Sequence, residues 1–302
     1  MKWIKLGRII EPRRDLWWMR SHVMVPVAAP ASGDVIKVYF SGRDDRNCSH
    51  IGFAEVDLSH PIRVDIHPEP VLSPGELGCF DDNGVTPSWI VDNDEAIFLY
   101  YIGWKPRSTT RMSVVAGLAA SGDGGNTFRR VSRAPILPLT DQEPFSVLTA
   151  PCVIREGNRW RMWYVSGTGW VHPDLPTYNI KYAESVDGVS WMRGGHVCIA
   201  ASAEDETSLA RPCVVRDGEL YRMWYSLKKG GRSYRIGYAE SIDGLVWTRL
   251  DDLAGIDVSD SGWDSEMIEY AFVFRQRDRL YMLYNGNNYG ADGAGLAVLS
   301  LT

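Results

Sequence analysis

A segment of this chain returns five times at intervals of about sixty residues, and that period limits what the chain can fold into. Its clearest copies are Ala150-Pro151-Cys152-Val153-Ile154, followed by Arg161-Met162-Trp163-Tyr164, and Arg211-Pro212-Cys213-Val214-Val215, followed by Arg222-Met223-Trp224-Tyr225. Weaker copies centre on Pro26, Pro87 and Ala271. The spacings are 61, 64, 61 and 59 residues, so five units fill nearly all 302 positions. An internal period of tens of residues marks a solenoid, a propeller or an array, and the content of each unit decides which.

The units read as strands. Each opens on a short apolar run, passes a polar turn and enters a second run rich in aromatics. Ser32-Gly33-Asp34, Asp92-Asn93-Asp94, Glu156-Gly157-Asn158 and Asp217-Gly218-Glu219 have the compositions hairpins require. The second runs are Val38-Tyr39-Phe40, Leu99-Tyr100-Tyr101, Met162-Trp163-Tyr164, Met223-Trp224-Tyr225 and Met282-Leu283-Tyr284. A third run follows each, as in Ile180-Lys181-Tyr182-Ala183 and Ile236-Gly237-Tyr238-Ala239. Aromatic and β-branched residues suit a pleated, half-buried surface. No stretch shows a helical period capped at both ends.

A fourth strand follows the turns Ser121-Gly122-Asp123-Gly124, Ser185-Val186-Asp187-Gly188 and Ser241-Ile242-Asp243-Gly244. The last unit stops after its third run, at Leu301-Thr302. The missing strand stands at the other end of the chain, where Trp3-Ile4-Lys5-Leu6 resembles Trp247-Thr248-Arg249-Leu250. The expected fold is all-β: a five-bladed β-propeller of four-stranded antiparallel blades, one domain over residues 1–302, its last blade closed by the N-terminal strand.

Composition narrows the function classes. A hydrophobic content of 45% over 302 residues supports a large core without a disordered tail. The net charge of −6, without long charge runs, argues against nucleic acid as partner. No apolar run approaches the ~18 residues of a membrane span, which argues against a membrane. The first residues lack the order of a secretory signal, so a cytoplasmic location is expected. The five cysteines lack metal spacing, and Cys152 and Cys213 occupy equivalent strand positions as small buried fillers. No metal and no cofactor is expected, because no nucleotide or metal motif is present. Nothing in the pattern sets an oligomeric state.

In a propeller the first strand of each blade lies nearest the axis, so residues at its entrance surround one funnel. Aligned on Pro26, Pro87, Pro151, Pro212 and Ala271, the entrances offer Arg20 and His22, Asp81 and Asp82, Glu143, Glu206 and Arg211, and Glu266 and Glu269. With Asp15, carboxylates recur at all five. Like charges crowded in a recess push pKa values apart, which suits acid/base work on a glycosidic bond. Asp81-Asp82-Asn83-Gly84 reads either as a carboxylate pair at the funnel mouth or as a β-turn. Glu206 reads either as a site acid or as part of a solvated rim loop. Arg211 needs a partner, a carboxylate or an anionic substrate group, because a buried unpaired charge is costly. Trp104 and Trp263 break the repeat and can stack on sugar rings or pack between blades. The Ser-x-Asp-Gly turns are structural, so Asp123, Asp187 and Asp243 are not site candidates.

The five units and Ser-x-Asp-Gly-x-x-Trp turns resemble the β-propeller glycosidases: the arabinanase and xylosidase family 43, the invertase and levansucrase families, and the mannoside phosphorylase family 130. In family 43 the general acid stands in a Glu-x-Pro motif opening a blade, and Glu269-Tyr270-Ala271 matches it with alanine for proline. The same group places its base in an Asp-Pro near the N-terminus, where this chain has Val25-Pro26. The resemblance implies a carbohydrate-active enzyme with a small glycoside or oligosaccharide substrate. Catalytic candidates are Glu269 as acid, Asp82 or Glu206 as base or nucleophile, and Glu266. Arg20, His22, Asp81, Arg211, Trp104 and Trp263 are the candidates for holding substrate. Two alternatives stay open: a phosphorylase whose phosphate is held by Arg20, His22 and Arg211, and a non-catalytic propeller that binds carbohydrate or protein.

Overall fold

The computed structural model describes residues 1–29 and 33–300; Ser32 of the first predicted turn and the Leu301-Thr302 end lie outside the described residues. Five four-stranded units follow one another. The first is β2 (Ser21–Ala28), β3 (Val35–Arg43), β4 (Ser49–Asp57) and β5 (Arg63–Ile66). The second is β6 (Val85–Asp92), β7 (Ile97–Pro106), β8 (Met112–Ser121) and β9 (Arg129–Arg130). The third is β10 (Val147–Glu156), β11 (Arg159–His172), β12 (Leu175–Ser185) and β13 (Val197–Ile199). The fourth is β14 (Glu206–Asp217), β15 (Leu220–Lys229), β16 (Arg235–Ser241) and β17 (Thr248–Arg249). The fifth runs β18 (Glu269–Gln276), β19 (Arg279–Asn285) and β20 (Ala294–Leu299), and takes its outer strand from β1 (Trp3–Ile10), which pairs antiparallel with β20. The repeat therefore marks out five blades.

Two side-chain positions join the blades. The first is the aromatic residue in the middle of each second strand. Tyr39 donates its hydroxyl to the Gly125 carbonyl at 2.8 Å, Tyr100 to Gly188 at 2.6 Å, and the Trp163 indole N–H to Gly244 at 2.9 Å. Each acceptor sits in the Ser-x-Asp-Gly turn of the next blade. That turn is fixed from within: the Ser121, Ser185 and Ser241 hydroxyls donate to Asp123, Asp187 and Asp243 at 2.7, 2.8 and 2.9 Å. The fourth aromatic, Trp224, has no such turn ahead of it, because the fifth blade's outer strand is β1. Trp3 of β1 meets it edge-on instead, at 5.9 Å between ring centroids.

The second position follows the blade proline. Ser88 donates to the Pro151 carbonyl at 2.8 Å, Cys152 Sγ accepts from Val214 N–H at 3.2 Å, and Cys213 Sγ from Val273 N–H at 3.0 Å. The two cysteines are buried fillers, as their equivalent positions suggested, and they also link neighbouring inner strands.

Every inner strand slips register at the same place, between Met24 and Val27, Pro87 and Trp89, Thr149 and Cys152, Ala210 and Cys213, and Glu269 and Phe272. Proline has no N–H to continue a ladder, so a bulge forms there, and the fifth blade keeps the bulge with Ala271 in its place. The residue before it takes φ of 50° at Val25 and Ala150, 52° at Arg211 and 56° at Tyr270. Such a conformation costs on the order of 1–3 kcal/mol for a side chain other than glycine. It is held where Asn285 Oδ1 accepts from Val25 N–H and Ser226 Oγ accepts from Tyr270 N–H, both at 2.8 Å. The bulge turns one side chain per blade toward the axis.

Trp3 is 5% exposed and packs on Trp224 of the fourth blade, while β1 pairs with β20 from Trp3 to Ile10. Trp3→Ala is expected to cost about 3–5 kcal/mol in urea unfolding; an unchanged midpoint would mean that the N-terminal strand adds little to the last blade.

Candidate active site

The bulged residues Val25, Thr86, Ala150, Arg211 and Tyr270, one from each blade, all line a single cavity of about 170 Å³. Its position on the axis follows from that convergence. A second ring comes from the far ends of the second strands, three residues beyond Phe40, Tyr101 and Tyr225: Arg43, Trp104 and Lys228. Hairpin tips add Arg111 and Asp174, and Tyr178, Tyr234 and Tyr289 complete one side. Asp174 is the one acidic residue on this wall among the described residues.

The structure places most of the expected acids elsewhere. Asp81 is 1% exposed, and its Oδ2 accepts from the Tyr101 hydroxyl at 2.9 Å and Arg130 Nε at 2.7 Å. Glu143 accepts from Tyr164 at 2.9 Å, Ser166 at 2.8 Å and Arg193 at 2.7 Å. Glu206 is bound by Arg249 through both oxygens, at 2.8 and 3.0 Å, and by Ser202. Arg249 also reaches Asp251 at 2.7 Å, and Asp251 accepts from Tyr225. In the last blade Asp264 accepts from Tyr284 at 3.1 Å and Lys5 at 2.7 Å. The design recurs in four blades: an acid near the inner strand, a tyrosine of the second strand and a cation on or just before the fourth, with Arg249 in the fourth blade joining Glu206 to the Asp251 that accepts from Tyr225. Blade one has Phe40, which lacks the hydroxyl, and no such acid.

Electrostatics agree with a structural role. Burial alone would raise Glu206, but Arg249 and the Ser202 N–H and hydroxyl outweigh it and bring the carboxyl to about 2. Burial likewise opposes ionisation of Asp82, yet the Gly78 N–H and the Lys105 ammonium, 3.0 Å away, hold it below its ordinary range. Asp81, Asp82 and Glu206 are thus occupied in their own blades. Glu266 is exposed, and its backbone N–H and carbonyl bond Asn287 and Arg235.

Of the residues expected to hold substrate, Arg211 and Trp104 reach the cavity wall. Arg20 is exposed and pairs with Asp45 at 3.2 Å. His22 contacts Ser21 at 3.0 Å, and burial, then the Arg43 charge, lowers it to about 4, so it is neutral at physiological pH. Trp263 stacks on Tyr284 at 5.3 Å, and a side chain at Gly286 or Gly295 would run into its ring. Its place is packing.

Glu269 differs from every other acid. It is fully buried at the axial end of β18, one residue behind the cavity-lining Tyr270, and neither carboxylate oxygen has a hydrogen-bond partner. Burial pushes it well above the ordinary 4.5 against the opposing pull of Lys228. The Tyr270 hydroxyl lies beside it, in a geometry that leaves both oxygens unbonded. Desolvation therefore favours the protonated form of the Glu269 carboxyl. Among the described residues no group of three or more His, Cys, Asp or Glu gathers in metal-binding geometry.

Sequence reasoning missed Arg43, Arg111, Asp174, Lys228 and Tyr270. Arg43, Trp104 and Lys228 share an offset of three from the blade aromatic, a signal the alignment on the inner-strand proline passes over. Arg111 and Asp174 lie on hairpin tips outside the repeat.

The arrangement is that of the five-bladed β-propellers of the glycoside-hydrolase fold. Solved relatives in that class include a glycosyl hydrolase from Bacteroides ovatus, with a TM-score of 0.74 and 15% identity over 97% of this chain and 91% of that one. A thermostable family-43 glycoside hydrolase matches with a TM-score of 0.68 and 14% identity, over 92% of this chain and 88% of that one. At such identities the likeness establishes the fold alone. More particularly, the chain belongs to the family of the uncharacterized protein MT1551 of Mycobacterium tuberculosis (strain CDC 1551 / Oshkosh), to which it is 46% identical over 99% of both chains. No protein-family model matches it.

Two substitutions separate structural acids from Glu269. Glu206→Gln leaves Arg249 without its buried partner and is expected to destabilise the fold by about 2–3 kcal/mol. Because the folded pKa lies below 4.5, the stability Glu206 contributes is present above that pH and is lost as pH falls toward about 2. Glu269→Gln has the opposite sign. Its folded pKa lies above 4.5, so the native state holds a proton the unfolded state has released, and this costs stability increasingly as pH rises from there. The Gln variant should melt higher than wild type at pH 7.5, with the gain vanishing near pH 4.5; melting curves across that range decide it.

Proposed function

We propose that the chain acts on a glycoside bound in the axial cavity, with Glu269 supplying the proton to the leaving group. One observation carries this reading: a fully buried carboxyl with no hydrogen-bond partner, its pKa raised by burial, directly behind the cavity wall. A structural acid in this protein has a bonded cation and a hydroxyl partner, a tyrosine at Asp81, Glu143 and Asp264 and Ser202 at Glu206; Glu269 has neither bonded to it. A general acid is most effective when its pKa lies near the working pH, and desolvation is the usual means of raising a carboxyl there. Tyr270 both lines the cavity and stands against Glu269, so a side-chain turn that closes the bond between them would let the hydroxyl give its proton to the leaving group and take one from the carboxyl. Trp104 and the tyrosines give the apolar faces and hydroxyl partners a sugar ring requires.

The acceptor distinguishes two forms of this activity. Asp82 and Glu206 are bonded within their blades, which leaves Asp174 as the carboxylate on the wall for activating water. Phosphate as nucleophile would need no such base, and the cavity's cations favour that second reading.

A panel of aryl arabinofuranosides, xylosides, fructosides, mannosides and galactosides, with and without inorganic phosphate, tests the reading. Glu269→Gln should reduce kcat by a factor of about 10²–10⁴, the usual share of a general acid, while remaining folded by circular dichroism. Turnover that survives Glu269→Gln would remove Glu269 from the chemistry. The alkaline limb of the wild-type pH profile should mark loss of the Glu269 proton and disappear in the variant's residual rate.

A further inference from the structure

Four cations face the axial cavity, Arg43, Arg111, Arg211 and Lys228, and none forms a salt bridge among the described residues. The chain is not short of acids: it has 38 Asp and Glu against 32 Lys and Arg. Elsewhere its buried or half-buried cations are neutralised, Arg130 by Asp81, Arg193 by Glu143 and Arg249 by Glu206.

The contrast is sharpest at Arg211. It is 2% exposed, its Nη1 and Nη2 reach only the Ala271 and Pro26 carbonyls at 3.2 and 3.4 Å, and its Nε has no partner. Burial lowers it to about 10, so it keeps its charge at neutral pH. Arg43 bonds Asn47 and the Met24 sulfur, and the nearby Arg111 charge adds to its burial in disfavouring its protonated form. Lys228 bonds the Tyr289 hydroxyl at 3.0 Å and stands 4.4 Å over the Tyr234 ring. Against these charges the wall sets the single exposed acid Asp174. Desolvated like charges gathered without counter-charge are costly unless an anion completes them. Guanidinium groups match the two-oxygen edge of carboxylates and phosphates.

We propose that the axial cavity binds an oxyanion, the carboxylate or phosphate of a charged sugar or free phosphate itself, between Arg43, Arg111, Arg211 and Lys228. This deepens the glycoside reading, since it uses the same cavity and names the charge its ligand carries. A cavity of about 170 Å³ admits one ring-sized unit, so the anion and the sugar it accompanies lie within reach of the same wall.

Calorimetric titration at low salt with D-glucuronate, glucose 6-phosphate, inorganic phosphate and glucose tests the site. At least one charged probe should bind, with neutral glucose at least tenfold weaker. Arg43→Met and Arg111→Met, at the mouth rather than in the core, should each weaken that binding tenfold or more. Arg111→Lys should retain most of it, and Arg133→Met, on a distant surface pair with Glu76, should change nothing. Binding of phosphate alone assigns the anion to a free acceptor; binding of the charged sugars without phosphate assigns it to the substrate. Failure of every charged probe, or binding that survives both Met substitutions, overturns the site. The two proposals fail separately. Charged-probe binding without turnover of any glycoside would sink the enzyme reading and leave the anion site. Turnover of neutral glycosides without anion binding would do the reverse.

Discussion

The buried cluster of acid, tyrosine and cation repeated in four blades is the interaction on which the rest of this structure depends. In these four blades it runs from the inner edge toward the outer strand, joining an acid at or before the inner strand to the second strand and to a cation on or just before the fourth. In the second blade it is Asp81, Tyr101 and Arg130; in the last it is Asp264, Tyr284 and Lys5, the cation arriving from the chain's other end. Breaking one member would leave a charge buried without its partner, which is why all three persist together. The fourth strands are short, only two residues in β9 and β17, and backbone pairing alone would hold them weakly. The ion pairs fix them.

With four of the five blades braced across their width, neighbouring blades can be joined by few contacts. The aromatic of one blade bonds the turn glycine of the next, and Ser88, Cys152 and Cys213 link inner strands. Such rigidity lets the chain carry left-handed backbone at Val25, Ala150, Arg211 and Tyr270, each a local cost borne by the surrounding frame. Those bulges are what place one side chain per blade on the axis. Function, on this view, begins where the frame leaves groups unsatisfied: the Glu269 carboxyl and the Arg211 Nε. Its solved structural relatives share the frame at 15% and 14% identity, so the fold by itself assigns no chemistry to these side chains.

Much of this was legible in the sequence, for a local reason. Strand periodicity, turn composition and the aromatic runs are set by residues a few positions apart, so the five units, the second-strand aromatics and the Ser-x-Asp-Gly turns could be read directly. The likeness between Trp3-Ile4-Lys5 and Trp247-Thr248-Arg249 paired the chain's start with its last blade, and β1 does pair with β20. The position of Glu269 at the axial end of its strand was legible because it falls at the entrance of an aligned strand. Arg43 and Lys228 were not, since the alignment followed inner strands while these lie at the far ends of second strands.

The fate of the carboxylates was beyond the sequence. Asp81 and Glu206 stand six residues before the aligned proline and Glu269 two before the aligned alanine, and all three read alike as funnel acids. What separates them is whether a cation arrives from elsewhere: Arg130 stands 49 residues from Asp81, Arg249 stands 43 from Glu206, and no cation or hydroxyl completes Glu269. The sequence by itself determined the number of blades, the strands and the bulge-forming prolines, because short-range sterics and alternation decide them. Only the tertiary structure decided which acids are spent on holding blades together and which is left buried without a partner beside a positively charged cavity, because a side chain's charge state depends on desolvation and on partners that folding alone brings within reach.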